Sequence, residues 1–195
     1  MKKVVLIGDS IRMGYQATVV EQLAGAAEVL SPEQNGGDSR NMLAHLDEWV
    51  TSLQPDIVHL NCGLHDLKRE FVMPEGTQVP LEEYRQNLDA IFRRITERTG
   101  AILIWVTITP VNQARHHATK EFDRLEADVN AFNAAALEIA DQFKLPVDNL
   151  YTAVMQAGHD ELLGLDGVHF EPRGYQLLGT TVAEFLRPFL SEERG

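Results

Sequence analysis

Near-continuous apolar runs, rather than alternating ones, restrict most what this chain can form. Residues 4–7 (VVLI), 57–62 (IVHLNC) and 101–108 (AILIWVTI) carry Val, Ile and Leu at successive positions. A strand with one face in water alternates apolar and polar residues, whereas a strand buried on both faces need not. Between these runs lie stretches of helical periodicity. Residues 40–53 place Met42, Leu43, Leu46, Trp49, Val50 and Leu53 at a spacing near 3.6. Residues 81–98 put Leu88, Ile91, Phe92 and Ile95 on one face, with Gly100 as a stop. Further helices are expected over 16–27, 121–143 and 172–190, the last with Pro172 in its first turn. Short strands are expected over 28–30 and 146–148. Strand and helix in alternation predict an α/β fold, a parallel sheet covered on both faces by helices. Ligands of such sheets bind beyond the carboxyl ends of the strands. The segments that matter are therefore 8–10, 35–39, 63–66, 109–112 and 166–169.

The 195 residues suit one domain, residues 1–195, with no linker or repeat to divide it. Hydrophobic residues at 44% and charged residues at 24% exclude a disordered chain, a collagen-like repeat and a coiled coil. With 29 acidic and 17 basic residues the net charge is −12, which argues against nucleic acid or an anionic membrane as partner. It favours small neutral or cationic molecules and leaves association between copies open. The single cysteine, Cys62, excludes an internal disulfide and a cysteine-based zinc cluster, and its apolar surroundings mark it as a buried thiol. No run approaches the roughly 18 apolar residues that span a bilayer. The run at 4–7 is too short for a signal peptide and meets Gly8-Asp9-Ser10 at once, so a cytoplasmic protein is expected.

Ser10 follows the first strand at a turn before a helix. There a serine can present its hydroxyl beside backbone N–H groups, as a nucleophile attacking a carbonyl requires. Taken alone, Ser10 reads first as a helix cap, since serine is common at caps. Asp166-Gly167-Val168-His169 adds the partners a nucleophilic serine needs: a base within hydrogen-bond reach, and an acceptor that fixes the base's tautomer. The same four residues are also compatible with an ordinary turn before the last helix.

Taken in order, Gly8-Asp9-Ser10, Asn35-Gly36-Gly37-Asp38-Ser39, Gly63-Leu64-His65-Asp66 and Asp166-Gly167-Val168-His169 resemble the motif blocks of the SGNH, or GDSL-type, hydrolases, a superfamily of serine esterases and lipases. The resemblance extends from residue 4 to about 180. It implies a three-layer α/β/α fold with a five-stranded parallel flavodoxin-like sheet. It also implies Ser10 as nucleophile, His169 as general base and then acid, and Asp166 as the residue orienting His169. The implied oxyanion donors are the Ser10 N–H, a glycine N–H from the second block (Gly37, with Gly36 as alternative), and a side chain from the third. That third block departs from the family pattern: His65 stands where an asparagine is usual. An imidazole N–H can donate to an oxyanion, with Asp66 helping to fix it; otherwise that donor is lost.

Arg12 is expected either to reach the substrate or to be a surface charge at a helix start, and Asp66 to line the substrate site. The 67–80 connection, with Pro74, Gly76 and Pro80, has the length of a lid or binding wall. The 111–120 insert carries Arg115, His116 and His117; read as extended chain, the two histidines point apart and make no metal pair. His59 reads as a satisfied core histidine, and His45 and His159 as surface or packing residues. The whole predicts a serine esterase without metal or cofactor, acting on a short acyl ester, such as acetyl, of a carbohydrate or other small polar carrier. The alternatives are a lysophospholipase or thioesterase-like acyl hydrolase, a non-catalytic ligand-binding relative, and a flavodoxin-like nucleotide or receiver module.

Overall fold

The computed structural model describes residues 1–72 and 75–191. Five strands form one parallel sheet: β1 (Lys2–Ile7), β2 (Ala27–Leu30), β3 (Ile57–Leu60), β5 (Ile102–Val106) and β7 (Val147–Asp148), in the order β2-β1-β3-β5-β7. The apolar runs are the inner strands: Val4 to Ile7 and Ile57 to Leu60 are wholly buried. Helices cover both faces, giving the three-layer α/β/α arrangement. On one side α1 (Ser10–Gln22), α6 (Leu150–Gln156) and α8 (Pro172–Ser191) pack together; α2 (Ser39–Trp49), α3 (Leu81–Arg98) and α5 (Glu126–Gln142) form the other group.

The closest helix pair positions the site. A Cβ on Gly14 would lie 2.1 Å from the Tyr175 ring, and one on Gly179 2.4 Å from the Thr18 side chain. The two glycines thus let α1 and α8 come into backbone proximity. Ser10 opens the first of these helices and His169 stands just before the second, so the same packing draws both ends together.

Four departures from the sequence reading have local causes. Helix α1 begins at Ser10, not near 16, because the Asp9 side chain caps it by accepting the Ile11 N–H at 2.9 Å. The insert after β5 contains a helix, α4 (Gln113–Thr119), capped by Asn112 accepting the Arg115 N–H, so His116 and His117 sit on a helix. The long helix expected from 121 starts at Glu126. Phe122–Asp123 (β6) instead pairs antiparallel with Arg69–Glu70 (β4), and tertiary pairing overrides helix propensity there. Residues 150–162, left without structure by the sequence reading, form α6 and the short α7 (His159–Leu162). Within the 67–80 connection Arg69 grips Asp128 through two hydrogen bonds of 2.6 and 2.8 Å, and the Gln78 and Val79 N–H groups tie back to the Lys68 and Asp66 carbonyls. Pro74 lies outside the described residues.

Candidate active site

Three side chains meet beyond the carboxyl end of the sheet. Ser10 Oγ lies 2.8 Å from His169 Nε2, and His169 Nδ1 lies 2.6 Å from Asp166 Oδ2. Capping of α1 falls to Asp9, which leaves the Ser10 hydroxyl for the histidine. The Ser10 N–H stands in the first turn of a thirteen-residue helix, where backbone donors have no intrahelical acceptor and the helix dipole favours negative charge.

The loop carrying Asp166 and His169 is held from several directions. Asp166 Oδ1 accepts the Val168 and His169 N–H groups at 3.1 and 2.9 Å. His116, buried on α4, donates Nδ1–H to the Asp166 carbonyl at 3.0 Å, and the Asn112 N–H reaches the Gly167 carbonyl at 2.7 Å. Gly167 is required: its φ is +69°, and a Cβ would lie 2.3 Å from the Asn112 carbonyl oxygen. Burial opposes ionisation of Asp166, but the hydrogen bonds from the His169 ring and from the two N–H groups outweigh it and hold the carboxyl well below its ordinary range. A carboxylate fixed on Nδ1 keeps Nε2 as the basic nitrogen facing Ser10, the geometry needed to take the hydroxyl proton.

A cavity of about 260 Å³ opens beside these groups, lined among others by Ser10, Asn35, His65, Lys120, Arg124 and His169. A larger hollow of about 700 Å³ along the 67–80 connection touches neither Ser10 nor His169. His65 has no side-chain partner among the described residues. Burial, aided by Arg124 and Lys68, lowers its pKa, so at neutral pH it carries a single N–H. Of the two candidate glycines, Gly36 spends its N–H on the Gly8 carbonyl at 3.0 Å. Gly37 (φ +65°) donates to Asn35 Oδ1 at 2.9 Å. That acceptor is an exposed side-chain oxygen at the cavity, which rotation can remove.

Two residues expected to bind substrate are placed elsewhere. Arg12 is buried away from the cavity, its guanidinium hydrogen-bonded to the carbonyls of Gly8 and Gln34 and to Gln16. It joins the end of β1 to the 31–38 loop. Asp66 is fully buried and accepts the N–H and hydroxyl of Ser39 at the start of α2; it does not line the cavity beside Ser10. Loss of solvent raises its pKa to about 7, although the Ser39 hydrogen bonds oppose the shift. His59 pairs in the core with Asp148 at 3.0 Å, and Cys62 is a buried thiol whose pKa burial raises. His45 stacks on Trp49 at 4.7 Å.

Arg124 was missed. It is 7% exposed, and its Nε donates to the Leu64 carbonyl at 2.6 Å. Nothing in the sequence marks it, because it falls inside what reads as a continuous helix. Among the described residues no group of three His, Cys, Asp or Glu could hold a metal ion, and no helix is long and apolar enough to cross a membrane.

A parallel three-layer fold with a serine, histidine and aspartate in line at the strand ends defines a hydrolase class. Within it, the chain belongs to the GDSL-like lipase/acylhydrolase family, whose sequence profile matches residues 6–177. It is an ester-bond hydrolase. The structure is similar to a lipase/acylhydrolase from Enterococcus faecalis, with a TM-score of 0.82, 25% identity, and all of both chains covered. It shares its fold with an acetylxylan esterase from Geobacillus stearothermophilus, with a TM-score of 0.77, 21% identity, and 98% of this chain and 95% of that one covered. An enzyme from the Lake Arreo metagenome, described as an α/β hydrolase, gives a TM-score of 0.78 at 22% identity over 96% of this chain and 94% of that one. No curated protein matches the sequence.

Proposed function

We propose that the chain acts as one domain and as a serine esterase, with Ser10 as nucleophile, His169 as base and then acid, and Asp166 as the group orienting His169. The observation that carries this is the continuous hydrogen-bonded line from Ser10 Oγ through His169 to Asp166. In the first half-reaction Ser10 Oγ attacks the ester carbonyl while its proton passes to His169 Nε2. Collapse of the tetrahedral species expels the alcohol, which takes that proton, and leaves an acyl-enzyme on Ser10. Water, deprotonated by His169, then releases the acid and restores the serine. The developing oxyanion is received by the Ser10 N–H, by the Gly37 N–H once Asn35 Oδ1 turns aside, and by the N–H of neutral His65.

The proposed substrate is a short acyl ester, acetyl first among them, on a small polar carrier. A cavity of only about 260 Å³, whose wall sets Leu64, Phe122 and Val168 beside cations, imidazoles and an amide, supports a short acyl group on a polar carrier better than a long alkyl chain. Two of the structural neighbours being acetylxylan esterases is consistent with it. A series of p-nitrophenyl esters from acetate to palmitate tests the assignment: kcat/KM is expected to be greatest at two to four carbons. A maximum at long chains would instead support the lysophospholipase or thioesterase-like alternative.

A further inference from the structure

We infer that Arg124 is an anion-binding group of the Ser10 cavity, and that the preferred substrate is a short ester whose alcohol or acyl part carries an oxyanion such as a carboxylate. The inference rests on the esterase reading of that site and narrows its substrate class.

Arg124 combines burial with lack of a partner. Nine-tenths of the residue is out of solvent, its Nε is held by the Leu64 carbonyl, and its guanidinium lies over the Phe122 ring at 5.0 Å. Among the described residues no carboxylate lies within ion-pair distance, and neither terminal nitrogen has a protein acceptor. Those nitrogens are not among the sealed-off polar atoms of the core, and the residue lines the cavity that holds Ser10 and His169. A guanidinium desolvated without a counter-ion is costly to keep. A ligand oxyanion would offset that cost, and the planar fork matches a carboxylate through two parallel N–H bonds.

The neighbouring charges leave room for this. Lys120 is 3.6 Å from Asp166 Oδ2 and so is already coupled to the Ser10 relay. Asp9 lines the cavity with Oδ1 taken by the Ile11 N–H and Oδ2 buried without a partner among the described residues; Asp9 and Asp166 favour the charged guanidinium through space, and neither is within ion-pair distance of it. His65 is neutral and contributes an N–H, not a charge. Across the whole surface a net charge of −12 disfavours anions at long range, so only a specific local cation would admit one.

Matched ester pairs test the inference. One pair, 3-acetoxybenzoate and its methyl ester, puts the carboxylate on the alcohol side. The other, mono-(4-nitrophenyl) succinate and its methyl ester, puts it on the acyl side. In the unmodified enzyme, kcat/KM for the carboxylate form is expected to exceed that of its methyl ester by roughly 10-fold or more in at least one pair. That ratio is expected to fall roughly 10- to 100-fold in Arg124→Met, the range of a lost charge-assisted hydrogen-bond pair, and less in Arg124→Lys. The pair that responds locates the anion. Should Arg124→Met fail to fold, the unmodified enzyme's ratio and Arg124→Lys decide. If the methyl esters are cleaved by Ser10-dependent turnover and neither carboxylate is preferred, the inference is overturned and the esterase reading stands. If no ester is cleaved, the esterase reading falls. Calorimetric binding of the same four esters to Ser10→Ala then decides: tighter binding of a carboxylate form sustains the anion site, and equal binding overturns it.

Discussion

Two buried arginines flank Ser10, and they differ in where their donors end. Arg12, two residues after the serine, has both terminal nitrogens bonded to the protein: one to Gln16, the other to the carbonyls of Gly8 and Gln34. Arg124, more than a hundred residues later, lines the cavity with one nitrogen anchored and, among the described residues, no protein acceptor on the other two. Burial lowers the pKa of each guanidinium, so neither is an ordinary surface charge. Proximity in sequence drew attention to Arg12, whose terminal nitrogens the protein already holds. A buried cation stabilises when the protein supplies its acceptors, and it recognises a ligand when the protein withholds them.

The widest test asks whether there is an active centre for these arginines to flank. Asp166→Asn keeps an acceptor for the loop N–H groups but loses the charge that fixes His169. Turnover of p-nitrophenyl acetate is expected to drop roughly 10,000-fold, with some loss of stability at neutral pH because the hydrogen bonds that lower the carboxyl's pKa favour the folded state. A small drop would show that turnover does not depend on the Asp166 charge and would remove the relay the two arginines are taken to flank.

Arg12→Met tests the structural half of the comparison. It takes the guanidinium from the Gln34 carbonyl, leaves the Gly8 carbonyl with the Gly36 N–H alone and uncouples the end of β1 from the 31–38 loop, and a loss of about 2 kcal/mol is expected, roughly 4–8 °C in Tm. The ratio of activities on charged and neutral esters should be retained. A change in that ratio without loss of stability would return Arg12 to the substrate side.

On the cavity side, His65→Ala removes a proposed oxyanion donor close to Arg124. kcat is expected to fall on the order of 100-fold, with a much smaller change in KM. Full turnover would show that His65 does not replace the usual asparagine.

A pH-dependent effect concerns Asp66, a carboxyl enclosed with the protein supplying its partners. Its folded pKa is raised to about 7 from an ordinary value of 3.8, so its contribution to stability is present below about pH 4 and is lost as pH rises toward 7. Denaturation followed from pH 4 to pH 8 is expected to show the unmodified protein losing stability relative to Asp66→Asn across that window. A flat difference would mean that Asp66 does not titrate there.

These contrasts also mark what could be read from residues alone. The strands were legible because burial on both faces writes Val, Ile and Leu at consecutive positions, and the two ends of the site because Asp166 and His169 share one short loop. Ser10 joined them through motif order along the chain. The partners of the two arginines depend on which carbonyls the fold brings near, and periodicity does not encode this. The β4–β6 ribbon escaped for a similar reason. Phe122 and Asp123 look helical in isolation, and pairing with residues fifty positions away decides their state. His116 was misjudged because the 111–120 insert gave no sign that Asn112 would cap a helix there.

Reaction with a fluorophosphonate, followed by peptide mass spectrometry, tests the central claim most directly. The account predicts a single adduct on Ser10, formed in the folded protein and lost in both Ser10→Ala and His169→Ala. A folded protein that stays unmodified, or an adduct on another residue, would contradict it.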